Sequence, residues 1–307
     1  AAARALSLPA ARALSSSSPT EPARASLSET VMADHAWRQT NHIWTEDELA
    51  RRIASADQKF APRTLSDRVM HFVVKQLLYR GFNLVTGYEE VDPTPESIEW
   101  RLIVLESFAG VPGFVAAAFR HFRSLRRLER DRGFIFTLLE EAENERMHLL
   151  VCMKMFEAGP ATKALVHAAQ LGMTPLLAGV YLAHPPAMHR FVGFLEETAV
   201  HTYANSVAHC ETPGTRLHAA WAELPAPPIA RAYWQMAPDA TRVDTLRRPL
   251  AAEAHPRDTH HAFACLPRGD LRDNLCAEED LLDFARAGHR RADHVLMEAL
   301  RATRAEK

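Results

Sequence analysis

The sequence predicts an all-α protein in which four long helices form a bundle. Apolar residues recur at intervals of three and four in several long segments, which is the spacing of a helix face packed against a core. Four of these segments also carry one glutamate on the apolar face. With 307 residues and 47% hydrophobic content, the chain is long enough to bury such a bundle.

The segment from Leu138 to Leu150, LLEEAENERMHLL, has the most informative spacing. Glu145 and His148 are three residues apart, and at about 3.6 residues per turn they share one face of a helix. Leu138 and Leu149 fall on the same side, so Glu145 is predicted to point inward. A buried carboxylate without a partner is strongly unfavourable, so we expect it to be protonated, paired or bound to a cation.

Two helical segments precede this motif. Residues 66–85 have the pattern of an amphipathic helix with basic edges, which either lies in a membrane interface or packs on the core with a solvated face. Residues 99–122 form the second run, in which Glu106 replaces an apolar residue and Gly110 and Gly113 allow another helix to approach closely. The basic run 120–132 follows and is either solvated surface or a contact with anionic lipid headgroups.

Residues 164–184 are the longest apolar segment of the chain. A membrane-spanning helix needs about 20 predominantly apolar residues, and this segment is interrupted by His167, Gln170 and Pro175. We therefore expect an interfacial or buried helix rather than a spanning one.

Two later runs complete the bundle. Residues 186–207 place Glu196 on the apolar face, with Tyr203 two turns later. Because helical side chains lean toward the N-terminus, the ring of Tyr203 is predicted to point back toward Glu196. Residues 242–264 form the last run, in which Glu253 is the inward candidate.

The inward residues are therefore Glu106, Glu145 with His148, Glu196, and Glu253, in that order along four helices. Helix-bundle di-iron and di-manganese proteins use one Glu from each of two helices and an ExxH from each of the other two. Oxygen and imidazole ligands suit iron or manganese better than thiolate-binding metals. The fold prediction is a ferritin-like four-helix bundle that holds a di-iron carboxylate site, with additional interfacial membrane-binding helices.

Charge and cysteine content exclude other classes of protein. A net charge of −2 gives no overall basic field, so no nucleic-acid partner is expected. The cysteines lack CxxC spacing, which argues against a zinc knuckle or a disulfide scaffold and favours a reducing compartment. They are Cys152, Cys210, Cys265 and Cys276.

The chain divides into three predicted regions. Residues 1–35 contain Arg4, Arg12 and Arg24 among many Ala and Ser, with no acidic residue before Glu21, which is typical of an organelle transit peptide or a disordered tail. Residues 36–265 form the di-iron helical domain. Residues 266–307 form a divergent C-terminal helical tail.

Three stretches of the sequence closely resemble the mitochondrial alternative oxidases, which are non-haem di-iron ubiquinol oxidases. LESFAGVPGFV surrounds Glu106, LLEEAENERMHLL surrounds Glu145, and FLEETAVHTYANS surrounds Glu196. The likeness extends over roughly residues 40–263, including FAPRTLSDR, LVTGY and LPAPPIARAYW. AGVPG and EAENERMH favour the mitochondrial branch over the plastid terminal oxidases.

The resemblance implies a monotopic homodimer on the matrix side of the mitochondrial inner membrane that oxidises ubiquinol and reduces O₂ to water without pumping protons. Two iron ions are implied as cofactors, with Glu106, Glu145, His148, Glu196 and Glu253 as ligands. Tyr203 matches the catalytic tyrosine. The implied ubiquinol-binding residues are Arg101, Leu105, Ala199 and Thr202.

The fourth helix departs from the resembled pattern. The family reads ADEAHHRD there, whereas residues 251–258 read AAEAHPRD, so Pro256 occupies the position of a histidine ligand and Ala252 that of an aspartate. His255 lies about 200° around a regular helix from Glu253 and cannot reach the same metal. His260 and His261 lie about 10 to 12 Å farther along. Pro256 also removes a backbone hydrogen bond and is expected to distort that turn.

Three explanations remain open: a distorted helix in which His255 substitutes, a site completed by water, or a catalytically impaired paralogue. Our hypothesis is that five ligands still hold two irons. The enzymatic alternative is another ferritin-like oxidase or oxygenase. Asn83 is a milder departure, because an acidic residue is expected there. Cys152 is the first cysteine and falls inside the bundle, so no redox-disulfide control of the dimer is expected.

Overall fold

The computed structural model describes residues 42–128, 130–131 and 133–265. The named elements of secondary structure within these residues are all helices. The all-α prediction is therefore confirmed. The predictions for residues 1–35 and 266–307 concern residues that lie outside the described part of the chain.

Eleven α-helices and one π-helical segment follow one another in the described residues. Their bounds are α1 Glu46–Ser55, α2 Leu65–Phe72, the π-helix Val73–Leu78, α3 Tyr79–Thr86, α4 Pro95–Arg127, α5 Phe134–Met155, α6 Pro160–Ala183, α7 Pro185–Glu211, α8 Arg216–Trp221, α9 Pro228–Tyr233, α10 Arg242–Ala252 and α11 Ala254–Cys265.

Threonine begins many of these helices. The side chains of Thr45, Thr64, Thr94, Thr215 and Thr241 each accept a hydrogen bond from a backbone N–H in the first turn. Such a cap satisfies a donor that the helix itself leaves unpaired and contributes about 1 kcal/mol. The helix starts are thus encoded locally.

The bundle consists of α4, α5, α7 and the α10–α11 pair. The α4 helix packs along α5, and α7 packs against both α10 and α11. Gly113 makes the α4–α5 approach possible, since a Cβ atom there would lie 2.7 Å from the carbonyl oxygen of Leu138. This close approach of α4 and α5 was predicted from the small residues of α4.

The predicted helix over residues 66–85 is confirmed as α2, the π-helix and α3 in succession. It packs on the bundle through α7, where Arg190 Nε donates to Asp67 Oδ1 at 2.9 Å. Its other face carries exposed apolar side chains. These are Leu65, Val69, Phe72, Leu77, Leu78, Leu84 and Val85.

Two helices in the described part of the chain are long and apolar enough to cross a membrane, α4 and α6. In α4, 67% of the apolar window is buried, so it is a core helix of the bundle. In α6 only 17% is buried, and Leu171, Leu176 and Leu182 are exposed. Residues 164–184 were expected to form either an interfacial or a buried helix. Most of this helix is exposed, so the expectation of a buried helix is wrong.

The last helical run breaks at Glu253. It lies between α10 and α11, so Pro256 falls in the first turn of a new helix, where its missing N–H is tolerated. Helical backbone hydrogen bonds continue on both sides of this residue, because Glu253 N donates to Pro249 O and Arg257 N donates to Glu253 O. The distortion predicted at Pro256 is thus confirmed as a one-residue interruption.

Candidate metal centre

Four carboxylates and one imidazole meet inside the bundle. Glu106 comes from α4, Glu145 and His148 from α5, Glu196 from α7, and Glu253 from the α10–α11 junction. Each is at most 2% exposed. All five sequence-predicted ligands therefore face the same interior.

His148 lies at the centre of the carboxylates. Its Nδ1 atom is 3.1 Å from Glu253 Oε1, 3.5 Å from Glu145 Oε2 and 3.8 Å from Glu106 Oε2. One ligand atom from each of these four residues lies within 4.8 Å of the others, which is compact enough for one metal ion. Glu196 is outside this group but buried in the same interior, where the charges of Glu145 and Glu253 act on its carboxylate.

Most of the polar atoms at this centre lie near one another but have no partner in hydrogen-bonding geometry. They are Glu106 Oε2, both oxygens of Glu145 and of Glu253, Glu196 Oε2, and both ring nitrogens of His148. Buried polar groups are normally hydrogen-bonded, and leaving each one unpaired costs about 1 to 3 kcal/mol. Oxygen and imidazole donors are those that iron and manganese accept, so the five residues fit a metal centre.

The pKa values of these residues also indicate a cation site. Burial raises the pKa of Glu106 well above its usual range, and the charges of Glu253 and Glu145 raise it further. Burial, with Glu145 next, likewise raises the pKa of Glu196 and of Glu253. Burial alone would lower the pKa of His148, but Glu145 and the other carboxylates outweigh it, so that pKa is raised. The carboxylates thus need a cation to ionise together.

Tyr203 borders the carboxylates but contacts a different one from that expected. Its hydroxyl donates to Glu106 Oε1 on α4 rather than to Glu196 on its own helix. Cys152 Sγ lies 3.6 Å from the same hydroxyl. Burial, followed by Cys152 and Glu106, raises the pKa of Tyr203 well above its usual range, so the hydroxyl keeps its proton.

The four predicted substrate-binding residues come from α4 and α7. Arg101 Nε donates to Thr202 Oγ1 at 3.1 Å, and Ala199 is one turn from Tyr203 on α7. Arg101 and Leu105 also line an apolar pocket bounded by the π-helix and α3. Its other lining residues are Val74, Leu78, Tyr79, Phe82, Phe108, Leu195 and Thr198.

The guanidinium of Arg101 is held between aromatic rings. It lies 4.2 Å from the ring centroid of Tyr88 and 4.5 Å from that of Tyr79. Its Nη1 donates to Asn83 Oδ1, the position where an acidic residue was expected. Arg101 is therefore buried beside a neutral partner.

The structure adds polar residues that the sequence patterns did not single out. Glu141 is buried on α5, and its Oε2 lies 3.0 Å from His260 Nε2. Glu197 accepts from Phe60 N at 2.8 Å and lies 3.2 Å from His261 Nε2. The signals available were the paired glutamates EE in α5 and α7 and the HH pair in α11.

Trp234 also contacts the centre. This buried residue just after α9 has its ring centroid 6.0 Å from that of His148. The sequence analysis includes Trp234 in the stretch LPAPPIARAYW but predicts no role for its indole.

None of the residues that depart from the expected family pattern adds a metal ligand to the group that could hold an ion. Pro256 is buried and offers no donor atom, and Ala252 is buried at the end of α10. His255 is half-buried and is not part of the four-residue group that could hold an ion. Neither His260 nor His261 belongs to that group.

Comparison with known proteins places these residues in context. The alternative oxidase family profile matches residues 44–265. The chain is 39% identical over 267 residues to "Alternative oxidase, mitochondrial" of Cryptococcus neoformans, with 78% of this chain and 65% of the relative covered. It is 45% identical over 243 residues to the protein of the same name from Emericella nidulans, covering 75% of this chain and 66% of the relative.

A third relative, "Alternative oxidase 1, mitochondrial" of Candida albicans, is 40% identical over 220 residues, which cover 67% of this chain and 57% of the relative. The matches therefore cover between 57% and 66% of the length of these relatives. Nothing in these matches favours a catalytically impaired paralogue.

Proposed function

The chain belongs to the alternative oxidase family, and from that premise we propose that it is a ubiquinol oxidase that reduces O₂ to water at a di-iron centre without pumping protons. Two quinol molecules supply the four electrons and four protons that convert one O₂ to two waters. The absence of proton pumping rests on the family alone.

One observation carries the di-iron part of this proposal. Carboxylates and an imidazole from four helical elements converge in a buried space with most of their polar atoms unpaired. A protein that kept such a group without a cation would lose several kcal/mol to desolvation. Binding of two divalent ions offsets that cost and lets the carboxylates ionise.

Five residues of this chain would hold the metal: Glu106, Glu145, His148, Glu196 and Glu253. When bound, the iron pair accepts the electrons of the quinol and supplies the centre at which O₂ is reduced. Helix packing around the site keeps bulk water away from it, because each ligand side chain is at most 2% exposed.

The quinol is proposed to bind in the apolar pocket beside Arg101 and Leu105, with Thr202 and Ala199 close by. Arg101 Nε is held by Thr202 Oγ1, which fixes the guanidinium where it can donate to a quinol oxygen. The apolar lining from the π-helix and α3 suits a lipid-soluble ring.

Tyr203 is the proposed catalytic side chain between the pocket and the carboxylates. Its hydroxyl holds a proton at Oη and donates a hydrogen bond to Glu106 Oε1. A tyrosine in this position can give up that proton along with an electron and recover both from the quinol. The buried, high-pKa environment prevents it from losing the proton alone.

We further propose that the chain lies on the matrix side of the mitochondrial inner membrane as a monotopic protein. The relatives quoted above are named mitochondrial. The exposed apolar faces of α6 and of the α2–α3 run support insertion into one leaflet. The proposed quinol pocket is lined in part by the π-helix of that run, and we propose that the substrate enters it from the lipid.

A homodimer is proposed on similar grounds. Several large apolar residues of α4 and α5 are exposed, and exposed apolar patches mark interaction surfaces. These residues are Phe114, Phe122, Leu125, Phe136 and Leu139.

The test is oxygen uptake by membranes from a host that expresses the chain. Uptake driven by quinol and unaffected by cyanide, and lost in Tyr203→Phe, is the expected result. Uptake that requires ferrous iron or a hydrocarbon instead of quinol would favour another ferritin-like oxidase or oxygenase. Uptake that appears only after Pro256→His would mean that the native chain is catalytically impaired.

A further inference from the structure

The helices that expose apolar faces carry almost no acidic side chain. In the described part of the chain, the α2–α3 run (residues 65–86) and α6 together contain one, Asp67. Asp67 is buried and accepts a hydrogen bond from Arg190 Nε at 2.9 Å, so its charge is already paired. The whole chain has 36 basic and 38 acidic residues. The exposed charges on the faces that we propose to lie in lipid are therefore all basic.

Arg68 lies within an exposed apolar stripe of α2. Leu65 and Phe72, three residues before it and four after it, share its face of the helix and are 73% and 54% exposed. Arg80 is placed in the same way on α3, where Leu84, four residues later, is 85% exposed. Long basic side chains at such positions lay their carbon chains along lipid and keep their charged ends at the level of the headgroups.

The last turns of α4 bring two further arginines beside α6. The ring of Phe119 on α4 stacks on the ring of Tyr181 on α6, with 5.5 Å between the centroids. Arg123 and Arg126 follow Phe119 by four and seven residues, so they continue the same face of α4 toward its C-terminal end. Leu182, the neighbour of Tyr181, is 70% exposed. Two cations therefore lie beside the C-terminal end of the exposed helix α6.

The exposed arginines are not taken up by ion pairs within the described part of the chain. No carboxylate there lies within ion-pair distance of Arg68, Arg80 or Arg126, and each of the three is exposed. Asp131, which follows the end of α4, pairs instead with Arg120 Nε at 2.7 Å. The three guanidinium groups are therefore open to an anion from outside the chain.

Lipid phosphate is the anion that fits this placement. A guanidinium group binds phosphate oxygens through its planar set of N–H donors. Anionic lipid headgroups attract each basic side chain near the membrane surface, and this attraction falls off within a Debye length. Apolar side chains alone would bind neutral and anionic membranes alike, whereas arginines among them distinguish the two.

We propose that the apolar faces of the α2–α3 run and of α6 select membranes with anionic headgroups, and that Arg68, Arg80 and Arg126 contact the lipid phosphates. This inference rests on the proposed monotopic attachment and adds the class of lipid to it. Its electrostatic part is weakened by salt, whereas the contribution of the apolar side chains is not.

The experiment compares binding of the full chain to vesicles of phosphatidylcholine alone and to vesicles that also contain phosphatidylglycerol, measured by sedimentation. The native chain is expected to bind the mixed vesicles about 10-fold more tightly, and high salt should remove the difference. A triple variant, Arg68→Gln with Arg80→Gln and Arg126→Gln, is expected to lose the preference and to bind both kinds of vesicle as the native chain binds phosphatidylcholine. Lysine at the same three positions keeps the charges and should keep the preference.

The control removes the same charge from elsewhere on the surface. Arg51, Lys154 and Arg216 are exposed on α1, α5 and α8, and their joint replacement by glutamine changes the net charge equally. This variant is expected to keep the preference. Circular dichroism of each variant checks that the helices are retained.

Three results would overturn the inference and leave the membrane attachment intact. They are equal binding of the native chain to both kinds of vesicle, a preference that survives in the arginine-to-glutamine triple variant, and an equal loss of preference in the control. A native chain that binds neither kind of vesicle would overturn the proposed attachment and this inference with it. Quinol-driven oxygen uptake tests the oxidase proposal separately.

Discussion

The hydroxyl of Tyr203 on α7 donates to Glu106 Oε1 on α4, which joins the proposed redox side chain to a proposed metal ligand across the bundle. Tyr203→Phe keeps the ring and removes this bond together with the contact to Cys152 Sγ. We expect quinol oxidation to fall at least 10-fold while the metal content stays at two ions per chain. Tyr181→Phe, a buried tyrosine that stacks on Phe119 away from the centre, is the control.

The rate of oxygen uptake and the iron content of the same preparation check this prediction. A Tyr203→Phe chain that retains full activity would show that the hydroxyl only orients Glu106. Loss of iron together with activity would show that its role is structural.

The burial of the five proposed ligands was predictable because helical periodicity decides which side chains of one helix face the core. Glu106, Glu145 and Glu196 each replace an apolar residue in such a pattern, and the structure buries all three. The partner of Tyr203 was not predictable from its own helix. Side-chain lean favours Glu196, but the packing of α4 against α7 brings Glu106 to the hydroxyl.

Glu141 escaped prediction for a related reason. Positions 141 and 142 are adjacent on the edge of the apolar face of α5, so periodicity alone does not say which is buried. The packing of α11 decides it, by placing His260 next to Glu141. Similarly, the sequence left open whether residues 164–184 are interfacial or buried, since both require the same composition.

Arg101 and Asn83 yield a prediction about stability. Burial lowers the pKa of Arg101, and its Nη1 donates to the neutral oxygen of Asn83. Asn83→Asp replaces this with a charged acceptor, which strengthens such a hydrogen bond by about 1 kcal/mol. We expect a higher melting temperature, measured by circular dichroism in detergent.

Asn205→Asp is the control of opposite sign, because the Asn205 amide donates to Tyr88 and to the carbonyl of Glu90, and a carboxylate cannot. It should lower the melting temperature. If Asn83→Asp also lowers it, the aromatic rings around Arg101 already compensate its charge.

Gly113 tests the α4–α5 approach. A Cβ atom there would meet the backbone oxygen of Leu138 at 2.7 Å, so Gly113→Ala must move one helix, at about 1 to 3 kcal/mol. Gly110→Ala is the matched control on the same helix, where the nearest atom would be 3.7 Å from the new Cβ. Chemical denaturation should separate the two variants, and equal stability would mean that α4 and α5 are not packed as closely as described.

His261 predicts an acid limit to stability. Burial lowers its pKa to about 4, against about 6.5 in an unfolded chain, so the unfolded state binds more protons between these values. This contribution, about 3 kcal/mol, is complete above pH 6.5 and is lost as the pH falls toward 4. Glu197, whose pKa is lowered by His261 and Lys75 in spite of burial, acts in the same direction.

His261→Gln removes the titrating ring and should flatten the pH dependence of stability in that window. The exposed His121→Gln is the control and should leave it unchanged. The difference between the two variants isolates the His261 contribution from those of the other titratable groups, which are the same in both variants. Identical curves for the two variants would refute the assignment.

The exposed leucines of α6 predict how the chain meets lipid. Leu171, Leu176 and Leu182 are 76%, 61% and 70% exposed, so their replacement by glutamine leaves the packing of the bundle unchanged. Each leucine moved from water into lipid contributes about 1.5 to 3 kcal/mol. The triple variant should therefore shift from the vesicle pellet to the supernatant by at least 10-fold while keeping its helical content. A matched triple variant at Val91, Leu128 and Leu224, which are exposed outside the apolar helices, should stay with the vesicles. If the α6 variant also stays, the α2–α3 face holds the chain at the membrane without α6.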